Sequence, residues 1–259
     1  MRVPAVPTLS ILLLTASVLP AQDLQYRMRS SMSTPQQTAP LPPFESAMYI
    51  KGTSIRADNR ATGFSNSVIV DAAGGKLYMV NHAERTFQEI PTDFAADSTL
   101  LRGDTARLRA LGAVPEVTRT GEKRTILGYQ AMRIISVQKQ PFPGDTAART
   151  VIISDSWISQ DPVLMKAFTA SMTAAQKLMG GAAQSVMALM PQEAQGLPLA
   201  TTTVIVKRGA HEPVNARALL EEGTPKGWLM RNVLEATEIK LIELPDTLFR
   251  VPAGYQKTN

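Results

Sequence analysis

The sequence predicts an α+β fold that consists mainly of antiparallel β-sheet. Apolar and polar residues alternate along residues 24–29 and along several later runs, as strands with one dry and one wet face require. Short turns such as the Ala-Ala-Gly-Gly of 72–75 separate consecutive runs, which favours hairpins over the helical crossovers that parallel strands need. Only residues 161–190 carry a long helical pattern. Together these patterns indicate one antiparallel sheet with a helical insertion.

The N-terminus has the pattern of a cleavable signal peptide. Arg2 gives the positive start, residues 9–19 form a mostly apolar run, and Ala21 is the small residue after which we expect cleavage. As a helix the run would cover about 16 Å, roughly half the hydrocarbon core of a bilayer. We therefore predict an exported protein, periplasmic or secreted, with residues 1–21 as signal peptide. Residues 22–259 are predicted to form a single domain with a helical insertion at about 161–190.

The predicted strands follow one another along the chain, with a proline-rich loop at 33–43 and short helices at 93–111. After the first run, strand patterns cover 47–51, 54–58, 67–71, 76–81, 86–90, 124–127, 131–137, 151–158, 201–207 and 228–243. The length of the last run indicates a bent strand or two strands. Residues 244–249 resemble a single helical turn.

The predicted long helix carries a methionine stripe. Asp161 and Pro162 have the positions of an N-cap and a first helical residue. The candidate ligand-binding residues share one helical face, which continues beyond Gly180-Gly181: Met165, Phe168, Met172, Met179 and Met187. Flexible, polarisable methionines can repack around ligands of different shapes. The stripe is either such an adaptive face or plain hydrophobic core, and both interpretations pack the helix on the sheet.

Several kinds of chemistry have no support in the sequence. The chain contains no cysteine, so disulfides and thiolate metal sites are excluded. His82, at a strand end, and His211, in a polar loop, lack partners at metal-ligand spacing and are predicted to be surface side chains. No Gly-x-Ser-x-Gly motif occurs. We therefore predict no enzyme activity, no cofactor and no metal.

The charge pattern argues against nucleic acid as a partner, and the hydropathy argues against an integral membrane protein. The net charge is +5, and the basic residues are scattered rather than clustered. Lys166 and Lys177 interrupt the long helix, which makes it unsuitable as a membrane span. Arg56 and Asp58 lie two residues apart in a predicted strand and therefore on one face, which we expect to be the wet face of the sheet, where they can form an ion pair.

A further set of motifs carries a family resemblance. Tyr49-Ile-Lys-Gly-Thr-Ser-Ile-Arg-Ala-Asp58 is followed by strand motifs at 68–71, 76–80, 85–90, 120–129 and 157–159, and by the closing segment 244–255. Their order over residues 24–256 resembles a family of exported bacterial proteins known only as a domain of unknown function. That family is similar in layout to the periplasmic lipoprotein carriers of the Lol system. The resemblance implies a curved antiparallel sheet, a half barrel, with helices on its concave face, where such carriers hold acyl chains.

These observations predict a non-enzymatic periplasmic protein that binds or carries a lipid, an acylated protein or another apolar ligand. The alternative is a structural or sensor domain of the bacterial envelope that binds a protein partner through the sheet face. Under the alternative, the methionines of the helix are only core.

Overall fold

The chain forms one large β-sheet. The structure, a computed structural model, describes residues 23–37, 41–71, 74–90, 115–179, 195–222 and 225–258, and only the backbone at 171, 172 and 174–179. Within these ranges, the strands β1 to β12 in chain order are Asp23–Ser33, Phe44–Lys51, Ser54–Ala61, Phe64–Asp71, Lys76–Asn81, Thr86–Ile90, Glu116–Ile126, Tyr129–Phe142, Asp145–Ser159, Leu197–Gly209, Trp228–Ile242 and Gln256–Thr258. Three helical elements accompany them: α1 (Pro162–Met179), α2 (Ala216–Glu221) and a 3₁₀ turn (Asp246–Phe249).

The sheet order joins two meanders at a central seam. The order is β12-β6-β5-β4-β3-β2-β1-β11-β10-β9-β8-β7, and every neighbouring pair is antiparallel except β12 with β6. Tight turns join β2 to β3, β3 to β4, β5 to β6, β7 to β8 and β8 to β9. Gly75 adopts a φ of 64° in the connection before β5. A side chain disfavours this φ, so glycine fits the reversal that the sequence predicted. The seam pairs β1 with β11, which lie at opposite ends of the chain.

The sheet is curled, and irregular pairing is one cause. Register shifts occur in the pairings of β11 with β1 and β10, of β9 with β8 and β10, and of β7 with β8. Such shifts bend a strand and increase its twist. One apolar cluster draws side chains from both β2 and β8, which would lie about 24 Å apart in a flat sheet. The curl brings them to one core and confirms the predicted fold class.

Helix α1 begins as the sequence predicts. The Asp161 carboxylate accepts hydrogen bonds from the backbone N–H groups of Val163 (3.0 Å) and Leu164 (3.3 Å), which otherwise have no helical partner. The helix crosses β1, β2 and β3 and also contacts β10. Its described part ends at Met179, so the predicted continuation to 190 lies outside the described residues. Among the described helices, none has the length and hydropathy that a membrane crossing requires.

Helix α2 packs beside β9 and β10 and was not predicted. Asn215 caps its N-terminus, and Leu219 and Leu220 are buried. They join a second apolar cluster with Val151, Ile153, Ile135, Val204 and Val206. Six residues are too few to display a helical period, so the sequence pattern did not reveal this element.

The C-terminal segment 244–258, here called the tail, returns to the strands at the start of the chain. The backbone N–H of Leu244 donates to the Asp23 carboxylate (2.9 Å), and Lys51 bonds the Leu244 carbonyl (2.6 Å) and the Asp246 carboxylate (2.8 Å). The 3₁₀ turn contacts β3 and β4, and β12 pairs with β6 and forms that edge of the sheet. The predicted helical turn at 244–249 is therefore confirmed, as a 3₁₀ turn beginning at Asp246.

Most other strand predictions are confirmed, with longer bounds in the structure. The predicted long run at 228–243 is one strand, β11, with bulges, and the described parts of the loop before β2 contain no helix or strand. Strand β7 begins at Glu116, eight residues before the predicted start at 124. The helices predicted at 93–111 and the signal peptide at 1–21 lie outside the described residues.

Candidate functional site

Strands β1 to β5 present two different faces. The register places Leu24, Tyr26, Ile50 and Ile55 on the face that α1 crosses, here called the helix face. The opposite face, here called the tail face, carries the alternate residues and is contacted by the tail. Because apolar and polar residues alternate along these strands, the helix face is mainly apolar and the tail face is mainly polar.

The core of the helix face is well packed. Leu164 of α1 is fully buried, and it joins a cluster with Leu24, Tyr26, Ile50, Ala131, Leu197, Leu199 and Ala236. The Tyr26 hydroxyl donates to the Pro198 carbonyl and so links β1 to β10 across β11. Burial raises the pKa of this hydroxyl, so it stays protonated as a donor. The first turns of α1 are therefore fixed firmly on the sheet.

The border of this core is partly exposed to solvent. Half-buried apolar side chains surround the cluster: Met28, Met48, Ile126, Tyr129, Trp157, Ala167, Phe168, Ile239 and Leu241. Farther along the same sheet, a hollow of about 440 Å³ is lined by residues of β4 to β6 that include Phe64 and Met79. The register places both side chains on the helix face, where they are 47% and 44% exposed. The helix face thus carries exposed apolar surface beyond its packed core.

The predicted methionine stripe is only partly described. Met165 and Phe168 lie on α1 and are half-buried, and Phe168 packs against the core cluster. Met172 and Met179 lie in α1, but their side chains are outside the described structure, and Met187 is outside it entirely. Leu164 was missed as the buried anchor. It lies one position before Met165, about 100° around the helix, so the buried stripe is centred away from Met165.

The tail face contains a buried polar network. Arg56 donates to the Asp58 carboxylate (2.6 Å), to the Leu248 carbonyl (3.0 Å) and to the Ser67 hydroxyl (3.2 Å). The Ser67 hydroxyl in turn donates to Asp58 (2.5 Å) and is fully buried. The ion pair that the sequence predicted therefore exists. The prediction of a wet face is wrong at this point, because the Arg56 side chain is only 11% exposed beside the tail.

His82 extends the network to the end of the chain. Its Nε2 lies 2.5 Å from the Ser67 hydroxyl, and its Nδ1 lies 2.9 Å from the Tyr255 hydroxyl. Desolvation first, and then the charge of Arg56, lower the pKa of His82, so the neutral imidazole is favoured. The prediction that His82 is a surface side chain is wrong, because its ring joins β4 to the tail. His211, in contrast, is exposed as predicted.

The Ser67–His82 pair has the separation of a nucleophile and its base, but its hydrogen bonds run the other way. A hydroxyl has one proton, and Ser67 donates it to Asp58. His82 Nε2 must then donate to Ser67, and Nδ1 accepts from Tyr255. With its proton directed to Asp58 and its oxygen buried, Ser67 is arranged as a structural joint between strands.

Next to this network the tail face holds an open groove of about 520 Å³. Its lining includes four arginines, Arg27, Arg29, Arg56 and Arg60, and two acidic residues, Glu45 and Asp58, so the charged lining has an excess of two positive charges. His82 also lines it. We refer to this feature as the arginine groove.

The small residue Ala47 explains the depth of the arginine groove. The register aligns Arg27 of β1, Ala47 of β2 and Asp58 of β3 in one row across the tail face. Neighbouring strands are about 4.8 Å apart, so the flanking residues stand about 10 Å from each other with only a methyl group between them. Ala47 therefore forms the floor of the groove.

The groove has a signal in the sequence, the alternation of charged residues along two strands. Arg27 and Arg29 alternate along one strand, and Arg56, Asp58 and Arg60 alternate along another. Such spacing places each set on one face, although it does not show that the strands are near neighbours. In the described ranges, no three histidine, aspartate or glutamate side chains come close enough together to hold a metal ion.

Comparison with known proteins gives likeness of structure only. No family model matches the sequence, and no curated protein matches it. The chain is similar to an uncharacterised conserved protein from Thermus thermophilus (TM-score 0.41, 10% identity, 92% of this chain and 91% of that chain). It is similar to a LolA superfamily protein from Nitrosomonas europaea, with a TM-score of 0.29 and 11% identity over 89% of this chain and 91% of that chain. It is also similar to a DUF1329 family protein from Desulfovibrio piger, with a TM-score of 0.30 and 10% identity over 89% of this chain and 90% of that chain. The two kinds of protein that the sequence resembles are thus both found among similar structures.

Proposed function

We propose that this chain is an exported, non-enzymatic protein that binds or carries an apolar ligand, such as a lipid or an acyl chain, on the helix face of its sheet. One observation carries the proposal: the helix face continues beyond the packed core of α1 into a hollow whose lining includes the exposed apolar residues Phe64 and Met79 among polar side chains. Apolar surface of this kind marks ligand or partner sites in proteins.

The half-buried residues around α1 support the same proposal. Met28, Met48 and Phe168 are half-buried at the border of the packed core, and two of them are flexible methionines. An acyl chain inserted along this boundary would bury apolar surface at about 25 cal/mol per Å² without disturbing the Leu164 anchor. Met165, Met172, Met179 and Met187 would extend the contact along the helix, as the sequence predicts.

Ligand content and uptake test the proposal. Protein purified without detergent is extracted with organic solvent for mass spectrometry, and the stripped protein is titrated with a fluorescent fatty acid. We expect co-purified lipid and saturable uptake. Protein that is empty and takes up no fatty acid would contradict the proposal and leave the alternative, a domain that binds a protein partner through its sheet face.

Two variants locate the ligand. Phe64→Ser and Met79→Ser should each weaken fatty-acid binding about tenfold, because each removes an apolar side chain that the ligand would cover. Val163→Ser is the matched control, since Val163 is 50% exposed and lies outside the apolar clusters. Equal losses in all three variants would place the ligand elsewhere.

Export is tested separately. The mature protein, isolated from its native host or from a bacterium that secretes it, should begin at Gln22 when its N-terminus is determined by mass spectrometry. Retention of residues 1–21 would contradict the export part of the proposal.

A further inference from the structure

The arginine groove lies on the tail face, on the opposite side of the sheet from the proposed apolar site. We propose that it binds the phosphate group of a small phosphorylated ligand. Its volume of about 520 Å³ lies within the range of small-molecule sites. The inference does not depend on the proposed lipid site, because the arginines stand on the tail face, whereas Phe64 and Met79 stand on the helix face.

Three guanidinium groups are available to an anion in the groove. Arg27, Arg29 and Arg60 stand on the tail face of β1 and β3 and are exposed to solvent. Arginine presents a planar fork of donors that matches phosphate oxygens in pairs. Arg56 differs, because its donors are already used by Asp58, Ser67 and the Leu248 carbonyl.

The carboxylates nearby do not neutralise these three arginines. Glu45 lies between Arg29 and Arg60 in the register, but its contact is with Arg29 at 3.4 Å. Arg60 has no carboxylate within ion-pair distance in the described part of the chain. One acidic side chain thus stands between two basic ones, which leaves a local excess of positive charge.

Arg27 also keeps hydrogen-bond donors free for an anion. It contacts Glu238 through its Nε at 3.2 Å, and its two terminal nitrogens make no hydrogen bond in the described part of the chain. Glu238 is also bonded by Lys240 (2.5 Å) and Gln25 (2.6 Å), so its charge is shared among three donors. An anion above Ala47 would meet Arg27 on one side, and Arg60 would approach it from two residues along β3. Asp58 stands opposite Arg27 in the row, but its carboxylate already accepts from Arg56 and Ser67.

The shape of the groove favours a compact anion. The Ala47 methyl group leaves a space about 10 Å wide between the side chains of β1 and those of β3, which is enough for a phosphate and a few attached atoms. A free phosphate ester and a phospholipid headgroup share this chemistry, so the experiment distinguishes these two sources.

Binding is measured by calorimetry with glycerol 3-phosphate and by co-sedimentation with vesicles of phosphatidylcholine that contain phosphatidic acid. We expect wild-type protein to bind one of these probes, and that probe identifies the source. Arg60→Ala should weaken the binding about ten- to a hundredfold, as expected for a lost charge-assisted hydrogen bond. Ala47→Leu should weaken it to a similar extent, because it fills the floor without changing any charge.

The matched control is Arg217→Ala. Arg217 is an exposed arginine on α2 whose replacement removes the same charge outside the groove, and it should leave binding within about twofold of wild type. Thermal unfolding of each variant confirms that it is folded. The proposal is overturned if wild-type protein binds neither probe, if Ala47→Leu binds as wild type, or if Arg217→Ala loses as much affinity as Arg60→Ala.

Discussion

The two faces of β1 to β5 are made by the same strands, yet they are stabilised in different ways. On the helix face, a dry cluster around Leu164 fixes α1, and apolar surface continues into an open hollow. On the tail face, a chain of hydrogen bonds from Asp58 to Tyr255 fixes the tail beside an open, positively charged groove. Each face therefore combines one fixed element with one open surface. Stability and binding can be tested separately on either side.

The largest expected effect lies on the helix face. Leu164→Ala should lower the free energy of unfolding by about 2–5 kcal/mol, because it leaves a cavity among fully buried side chains. Urea denaturation followed by circular dichroism measures the change. Val163→Ala, one position earlier and half-exposed, should change it by less than about 0.5 kcal/mol. Similar values for the two variants would show that α1 does not pack through Leu164.

The next effect is expected at the centre of the tail-face network. Ser67→Ala should lower the free energy of unfolding by about 1–3 kcal/mol, because Asp58, Arg56 and His82 all lose a buried partner. Ser65→Ala is the control, since Ser65 lies on the same face of β4 and its hydroxyl makes no described hydrogen bond. A Ser67→Ala protein as stable as wild type would contradict the structural role of this network.

Removing the last link of the network should cost less. Tyr255→Phe deletes only the hydroxyl that bonds His82 and should lower the free energy of unfolding by about 0.5–1.5 kcal/mol. Local loosening is measured by hydrogen exchange, which should accelerate in β12 and at the edge of β6. Tyr49→Phe, on the same face but without a described hydroxyl partner, should leave that exchange unchanged.

The smallest effect is a pH dependence from His82. Its pKa is lowered from the ordinary 6.5 by desolvation and by Arg56, so the unfolded chain binds this proton more readily than the folded protein. The free energy of unfolding should therefore fall as pH drops through about 6.5 and level off below the folded-state pKa. Denaturation between about pH 5 and pH 8 measures it. The slope should decrease in His82→Gln and persist in His211→Gln.

Prediction from sequence succeeded where burial is one-sided. The strands before residue 90 alternate apolar and polar residues because one side of each contacts a core, and the structure confirms them. Strand β7 was predicted too short because it is an edge strand with most of its side chains exposed, so no alternation is required. The cap at Asp161 was predictable because capping depends only on neighbouring residues.

The candidate sites were less predictable because they depend on contacts that are distant in sequence. Alternation places Arg27 and Arg60 each on a strand face, but only the sheet order brings them into one groove. His82 had no predicted partner, since Tyr255 lies 173 residues later. Leu164 was not predicted as the buried anchor because the methionines indicated the neighbouring face of the helix as the buried one.

The seam between β1 and β11 has a consequence for how the chain acquires its structure. Gln25 and Glu238, bonded across this part of the sheet, are 213 residues apart. The meanders of β1 to β6 and β7 to β11 can each assemble from segments that are near in sequence, but their union awaits the synthesis of both β1 and β11. Loop closure over such a separation slows folding. Until it occurs, the first strand exposes unpaired backbone on its β11 side, and a chaperone that covers this edge would protect the nascent protein from aggregation.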